Sequence, residues 1–82
     1  SMEKFPYWQE WLSEIKKLVS EETFLQYFKG IRPLRIEGTK AIVQVVETVD
    51  INRLTRRYLG LLEDAYFEVS NREIEFSFET LR

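Results

Sequence analysis

The chain has 82 residues, enough for one domain and too few for two. With 44% hydrophobic and 15% aromatic residues, three Gly and two Pro, it has the apolar surface for a thin core, which argues against a disordered tail. Cysteine and histidine are both absent, which excludes disulfides, thiolate metal sites and the commonest general base. Twelve basic and fourteen acidic residues (net charge −2) exclude a strongly basic nucleic-acid binder.

Ser1 before Met2 reads as a cloning remnant. Pro6 suits the first turn of a helix, where its missing N–H costs nothing. Trp8, Trp11, Leu12, Ile15, Leu18 and Val19 recur at three- and four-residue spacing between Gln9, Glu10, Glu14, Lys16 and Lys17, which predicts an amphipathic helix over 7–19. One helical stripe cannot bury Tyr7, Trp8 and Trp11 together, so Trp11 is expected in the core and Tyr7 or Trp8 in part outside it, weighed against the alternative that both tryptophans are core. Ser20 can cap a second helix with Glu21 and Glu22 in its first turn, Phe24 and Phe28 at i,i+4 on its inner side, and Lys29-Gly30 at its end.

Arg32-Pro33 opens an extended stretch. Leu34–Glu37, the turn Gly38-Thr39 and Lys40–Val46 read as a β-hairpin, with Ala41, Val43 and Val45 facing the core and Ile42, Gln44 and Val46 facing away. Thr48 or Asp50 caps a third helix running to about Phe67, with an apolar stripe of Leu54, Tyr58, Leu61, Leu62, Ala65 and Val69. The segment Glu73–Thr80 alternates Ile74, Phe76 and Phe78 with polar residues, the pattern of a half-buried strand. The order α-α-β-β-α-β predicts an α+β fold with helices packed on a three-stranded sheet, which is KH-like but lacks the GxxG loop of RNA-binding KH domains. No apolar run approaches the roughly 20 residues of a bilayer span, and no signal peptide is visible, so no membrane partner and a cytoplasmic location are expected.

Nucleophilic triads have no base here, and neither a GxxxxGK[ST] loop nor GxGxxG occurs. The adjacent carboxylates Glu21-Glu22 and Glu63-Asp64 point in different directions on a helix and read as solvated charge. No catalytic residue, metal ligand or cofactor site is expected, and the chain reads as a binding module. Its candidate surfaces are the aromatic N-terminal helix, the loop Glu47-Thr48-Val49, and Arg53, Arg56 and Arg57. The arginines are candidate nucleic-acid contacts, weighed against a salt-bridged surface.

Taken together, these residues resemble domain I, the N-terminal domain of the bacterial replication initiator DnaA. The resemblance runs ungapped from about Tyr7 to Phe78. It rests on Trp8 with Leu12 and Ile15, Ser20-Glu-Glu-Thr-Phe24 leading to Tyr27-Phe28, and Ile36-Glu-Gly38. It continues with Arg57-Tyr58-Leu59 before Leu61-Leu62, and Glu73-Ile-Glu-Phe-Ser-Phe78. It implies a non-catalytic interaction domain that self-associates weakly and docks the replicative helicase DnaB and regulators such as DiaA, HobA or SirA, with at most weak single-stranded DNA binding. Residues 1–82 would be that one domain, excised from a protein whose linker, AAA+ ATPase and DNA-binding domain have no counterpart in them. By position, Trp8 matches the self-association aromatic. Glu22, Thr23 and Tyr27 match the partner surface of the second helix, and Glu47 and Val49 match the loop that completes it. The chain departs from the family at Glu47-Thr48-Val49, where Asn-x-Phe is common, at Arg53, where tryptophan is common, and at Tyr27, where tryptophan is usual.

Overall fold

A computed structural model describes residues 5–80; Ser1 lies outside the described residues. Helix α1 spans Trp8–Leu18, and α2 begins as an α-turn at Glu21–Thr23 and continues as a π-helical turn at Phe24–Phe28. Strands β1 (Arg32–Glu37) and β2 (Lys40–Val45), helix α3 (Ile51–Ser70) and strand β3 (Glu75–Thr80) follow. The α-α-β-β-α-β order expected from the sequence is the order observed.

Strand order is β1-β2-β3, with β1 antiparallel and β3 parallel to β2. The hairpin turns in two residues because Gly38 takes φ 62°, a left-handed value that costs glycine nothing. The register of β1 shifts between Pro33 and Arg35, and Pro33, which cannot donate to a ladder, is tolerated on this edge strand. Because α3 separates β2 from β3, the parallel pair needs a crossover, and this long helix provides it.

Side-chain alternation sorts the sheet. Ala41, Val43 and Val45 are fully buried beneath the helices, with Phe76 beside Ala41 and Phe78 beside Val43. Ile42 faces the other way, as expected, yet is buried as well. Arg35 on β1 bonds Glu37 and reaches Glu79 on β3 at 3.5 Å, so its side chain crosses β2 where Ile42 sits. An arginine's aliphatic stem can shield an apolar neighbour in this way while its head stays in water.

Above the inner face, α1 and α3 are joined by an indole bond: Trp11 Nε1–H donates to the Leu62 carbonyl at 3.0 Å. Trp11 stacks on Phe76 with ring centroids 4.7 Å apart and planes 5° apart. Phe5 and Tyr66 close the cluster edge-on to each other at 6.1 Å. The predicted core of Phe24, Phe28, Tyr58, Leu61, Leu62, Ile74, Phe76 and Phe78 is partly shifted. Phe28, Leu62, Ile74 and Phe76 are buried, while the other four pack half-buried against its margin.

Several boundaries differ from expectation for local reasons. Pro6 lies before α1 rather than in its first turn, because Tyr7 takes a left-handed φ of 66° and the helix starts after it. That conformation is costly for a tyrosine; the Tyr66 hydroxyl donates to the Pro6 carbonyl at 2.9 Å and holds the turn. Gly30 is not a left-handed cap, since α2 closes with Lys29 still right-handed. Its lack of a side chain serves close approach instead: a Cβ there would lie 3.2 Å from Val46 Cγ1. Asp50, not Thr48, caps α3 by accepting from the Arg53 N–H at 3.1 Å. The helix runs past Phe67 to Ser70, where Asn71 at φ 60° supplies the left-handed exit.

Candidate functional site

Ser20 caps α2 as predicted, its hydroxyl accepting from Thr23 N–H at 3.1 Å. Beyond Thr23 the helix widens: the Lys29 N–H bonds the Phe24 carbonyl, an i→i+5 contact. Widening changes which residues point inward. On α-helical spacing Phe24 and Phe28 would share the inner side; here the adjacent Tyr27 and Phe28 are both buried, and Phe24 is displaced toward solvent, where Lys16 Nζ lies 5.7 Å from its ring centroid. Tyr27 packs on Tyr58 at 5.5 Å and Phe28 meets the same ring edge-on at 5.8 Å, which docks α2 onto α3. Leu25 is thereby turned outward and is 51% exposed.

The carried-over partner surface is therefore only partly assembled. Glu22 and Glu47 are exposed, Thr23 is half-buried and its hydroxyl accepts from Ser20, and Val49 is half-buried against the core. Tyr27 is a correction: at 6% exposure it is a core residue and cannot present its ring to a partner. The loop does lie beside the end of α2, since Val46, just before Glu47, approaches Gly30. Leu25 is a large apolar side chain that this end of the domain offers to solvent.

Trp8 is the second correction. It is 6% exposed, edge-on to Phe5 at 4.9 Å and against Trp11 at 5.1 Å. The sequence argument treated the helical stripe as the whole burial surface, whereas Phe5 folds back from outside the helix to cover Trp8. The exposed aromatic of this segment is Tyr7, 44% exposed.

Arg53, Arg56 and Arg57 are all exposed on the outer side of α3. The expected salt-bridged surface is not there: among the described residues the ion pairs join Lys17 to Glu14 and Arg35 to Glu37 and Glu79. Further along the same helix, Glu63, Asp64 and Phe67 border an open cleft of about 530 Å³ completed by Glu73, Ile74 and Glu75. Glu63 is half-buried because its Oε2 accepts the Phe76 N–H of edge strand β3 at 3.2 Å. Though four carboxylates rim the cleft, no group of three or more acidic side chains among the described residues is arranged to hold a metal ion. Tyr66 is held above the ordinary tyrosine pKa, chiefly because burial disfavours its phenolate, with Arg72 opposing the effect.

These features define a small α+β domain whose helices cover one side of a mixed three-stranded sheet. Among the described residues no helix is long and apolar enough to cross a membrane. Compared with models of protein families and with curated proteins, the chain matches none.

Proposed function

We propose that this is the interaction domain of a DnaA-like replication initiator, a non-catalytic cytoplasmic module that docks the replicative helicase and its regulators and associates weakly with itself. The observation that carries the reading is the π-helical turn at Phe24–Phe28. A π turn sacrifices regular α-helical bonding and recurs at functional sites. Here it falls on the segment where the resemblance to domain I implies partner contacts, and it turns Leu25 outward next to exposed Glu22 and Gln26. Docking then uses Glu22, Leu25 and Gln26 with Glu47 of the neighbouring loop, not Tyr27. Calorimetric titration with the cognate helicase tests this: Leu25→Ser should weaken binding at least tenfold, and an unchanged affinity removes α2 from the interface.

A second reading, a single-stranded nucleic-acid module of KH-like form, is favoured by Arg53, Arg56 and Arg57 having no carboxylate partner among the described residues. Phosphate contacts by these residues would make oligonucleotide affinity fall steeply with salt, so a flat salt dependence rejects it.

A further inference from the structure

The outer side of α3 is organised about a point. At about 100° per residue, Arg53, Arg56, Arg57, Glu63, Asp64 and Phe67 all lie within about 60° of the direction of Gly60. Every one of them is exposed or half-buried. The basic residues all precede Gly60 and the acidic ones all follow it. This order works against the isolated helix. Arg53 and Arg57 are like charges at i,i+4, as are Asp64 and Glu68, and both pairs repel. Beyond the Asp50 cap, the first turn holds no acidic residue and the last no basic one, so within the helix the charges run against the macrodipole. Within the chain the halves neutralise each other poorly: Arg57 and Asp64 are about 10 Å apart along the axis at about 1.5 Å per residue, beyond the ~8 Å screening length of physiological salt. Gly60 itself lowers helix propensity, and no contact among the described residues requires it, since a Cβ there would meet nothing within 4 Å.

We infer that this face binds a second copy of the chain, two α3 helices packing antiparallel about a two-fold axis at Gly60. A two-fold contact needs a surface complementary to itself when turned end for end, and this charge pattern has that property. Turned about Gly60, Arg57 meets the second copy's Asp64, Arg56 meets the second copy's Glu63, and Arg53 lies over the second copy's Phe67 ring, a cation–π arrangement. Symmetry makes each contact twice. Gly60 sits where the backbones come closest, the position at which a missing side chain helps. One helix pair covers less than the ~1,200 Å² of a standard stable interface, so the dimer is weak and sensitive to salt. This gives a surface to the self-association within the proposed function and rests on that part of it alone.

Sedimentation equilibrium of the intact chain, with three variants, tests the arrangement. The parent should dimerise, and raising salt from about 0.05 to about 0.5 M should weaken the dimer about tenfold or more as the pairs are screened. R56E/R57E and E63R/D64R should each be monomeric alone, because each sets like charges against each other at both pairs. Mixed in equal amounts they should form a heterodimer at least as tight as the parent. Gly60→Leu should be monomeric with no loss of melting temperature. A parent that dimerises but is unaffected by all three variants overturns this surface and leaves self-association standing. A parent that stays monomeric at millimolar concentration overturns both. If R56E/R57E loses only oligonucleotide affinity, the arginines serve a polyanion and the dimer is wrong.

Discussion

Phe76 sits in the middle of β3, 7% exposed, and removing its ring tests the core most directly. The ring stacks flat on Trp11 at 4.7 Å and meets Tyr66 edge-on at 5.9 Å, with Phe5 6.4 Å away. Transfer of a buried phenylalanine is worth about 1.5–3 kcal/mol. Losing one favourable ring pair adds about 0.5–1.5 kcal/mol, and the cavity left among three large rings cannot collapse easily. Phe76→Ala should therefore cost about 4–5 kcal/mol, the upper part of the usual range for such truncations. A domain of this length has a total stability of about 4–12 kcal/mol, so the variant should be close to unfolding at room temperature. Phe76→Leu, which keeps most of the volume, should cost about 1–2 kcal/mol. Urea denaturation followed by far-ultraviolet circular dichroism measures both without relying on Trp11 fluorescence, which the substitution itself alters. A loss below about 1 kcal/mol for alanine, or equal losses for alanine and leucine, would refute the stacked aromatic core.

Trp8→Ala should cost about 3–5 kcal/mol in the same denaturation assay, since Trp8 is packed between Phe5 and Trp11; a variant of undiminished stability would return Trp8 to the surface. Gly60→Ala should stabilise the fold by about 0.5–1 kcal/mol, read as a higher melting temperature, because the new methyl group meets nothing in the chain while helix propensity rises. Tyr66 provides a pH test: its folded pKa lies above the unfolded value near 10, so the stability it contributes is complete below about pH 10 and is lost as pH rises beyond that. The stability gap between the parent and Tyr66→Phe should accordingly narrow above pH 10 in melts taken across the alkaline range.

Most of the scaffold was legible because it depends on short-range pattern. The spacing of Trp11 and Ile15, the Ser20 cap, the glycine-first hairpin turn and the alternation of Ile74, Phe76 and Phe78 each encode an element locally. What escaped the pattern depends on chain geometry or distant partners. A π turn has no period of its own in a five-residue segment, so α-helical spacing assigned Phe24 inward and Tyr27 only to the margin of that side. The burial of Trp8 depends on Phe5, outside the helical stripe. Tyr66 lies off the predicted stripe of α3 and is buried because the N-terminal turn crosses above it, where its hydroxyl bonds Pro6. Asn71 carried a readable signal, being the residue after glycine most tolerant of left-handed φ, and it fixes the end of α3.

The candidate surfaces divide along the same line. Arg53, Arg56 and Arg57 were visible as a cluster in the sequence, but that they lack carboxylate partners among the described residues is a tertiary fact. The acidic cleft combines residues of α3 with residues 73–75, brought together because the Glu63 carboxylate caps the edge of β3. Helix α3 thus works under two sets of rules. Its inner side, with Leu54, Leu62, Ala65 and Tyr66 buried, is fixed by packing, and a change there costs stability. On its outer side Arg53, Arg56 and Arg57 are exposed and, among the described residues, in no ion pair, and the order of charges along the helix runs against its macrodipole. Packing therefore cannot account for the order of charges about Gly60, and helix stability argues against it. A surface that lowers the stability of its own helix is best explained by what binds it.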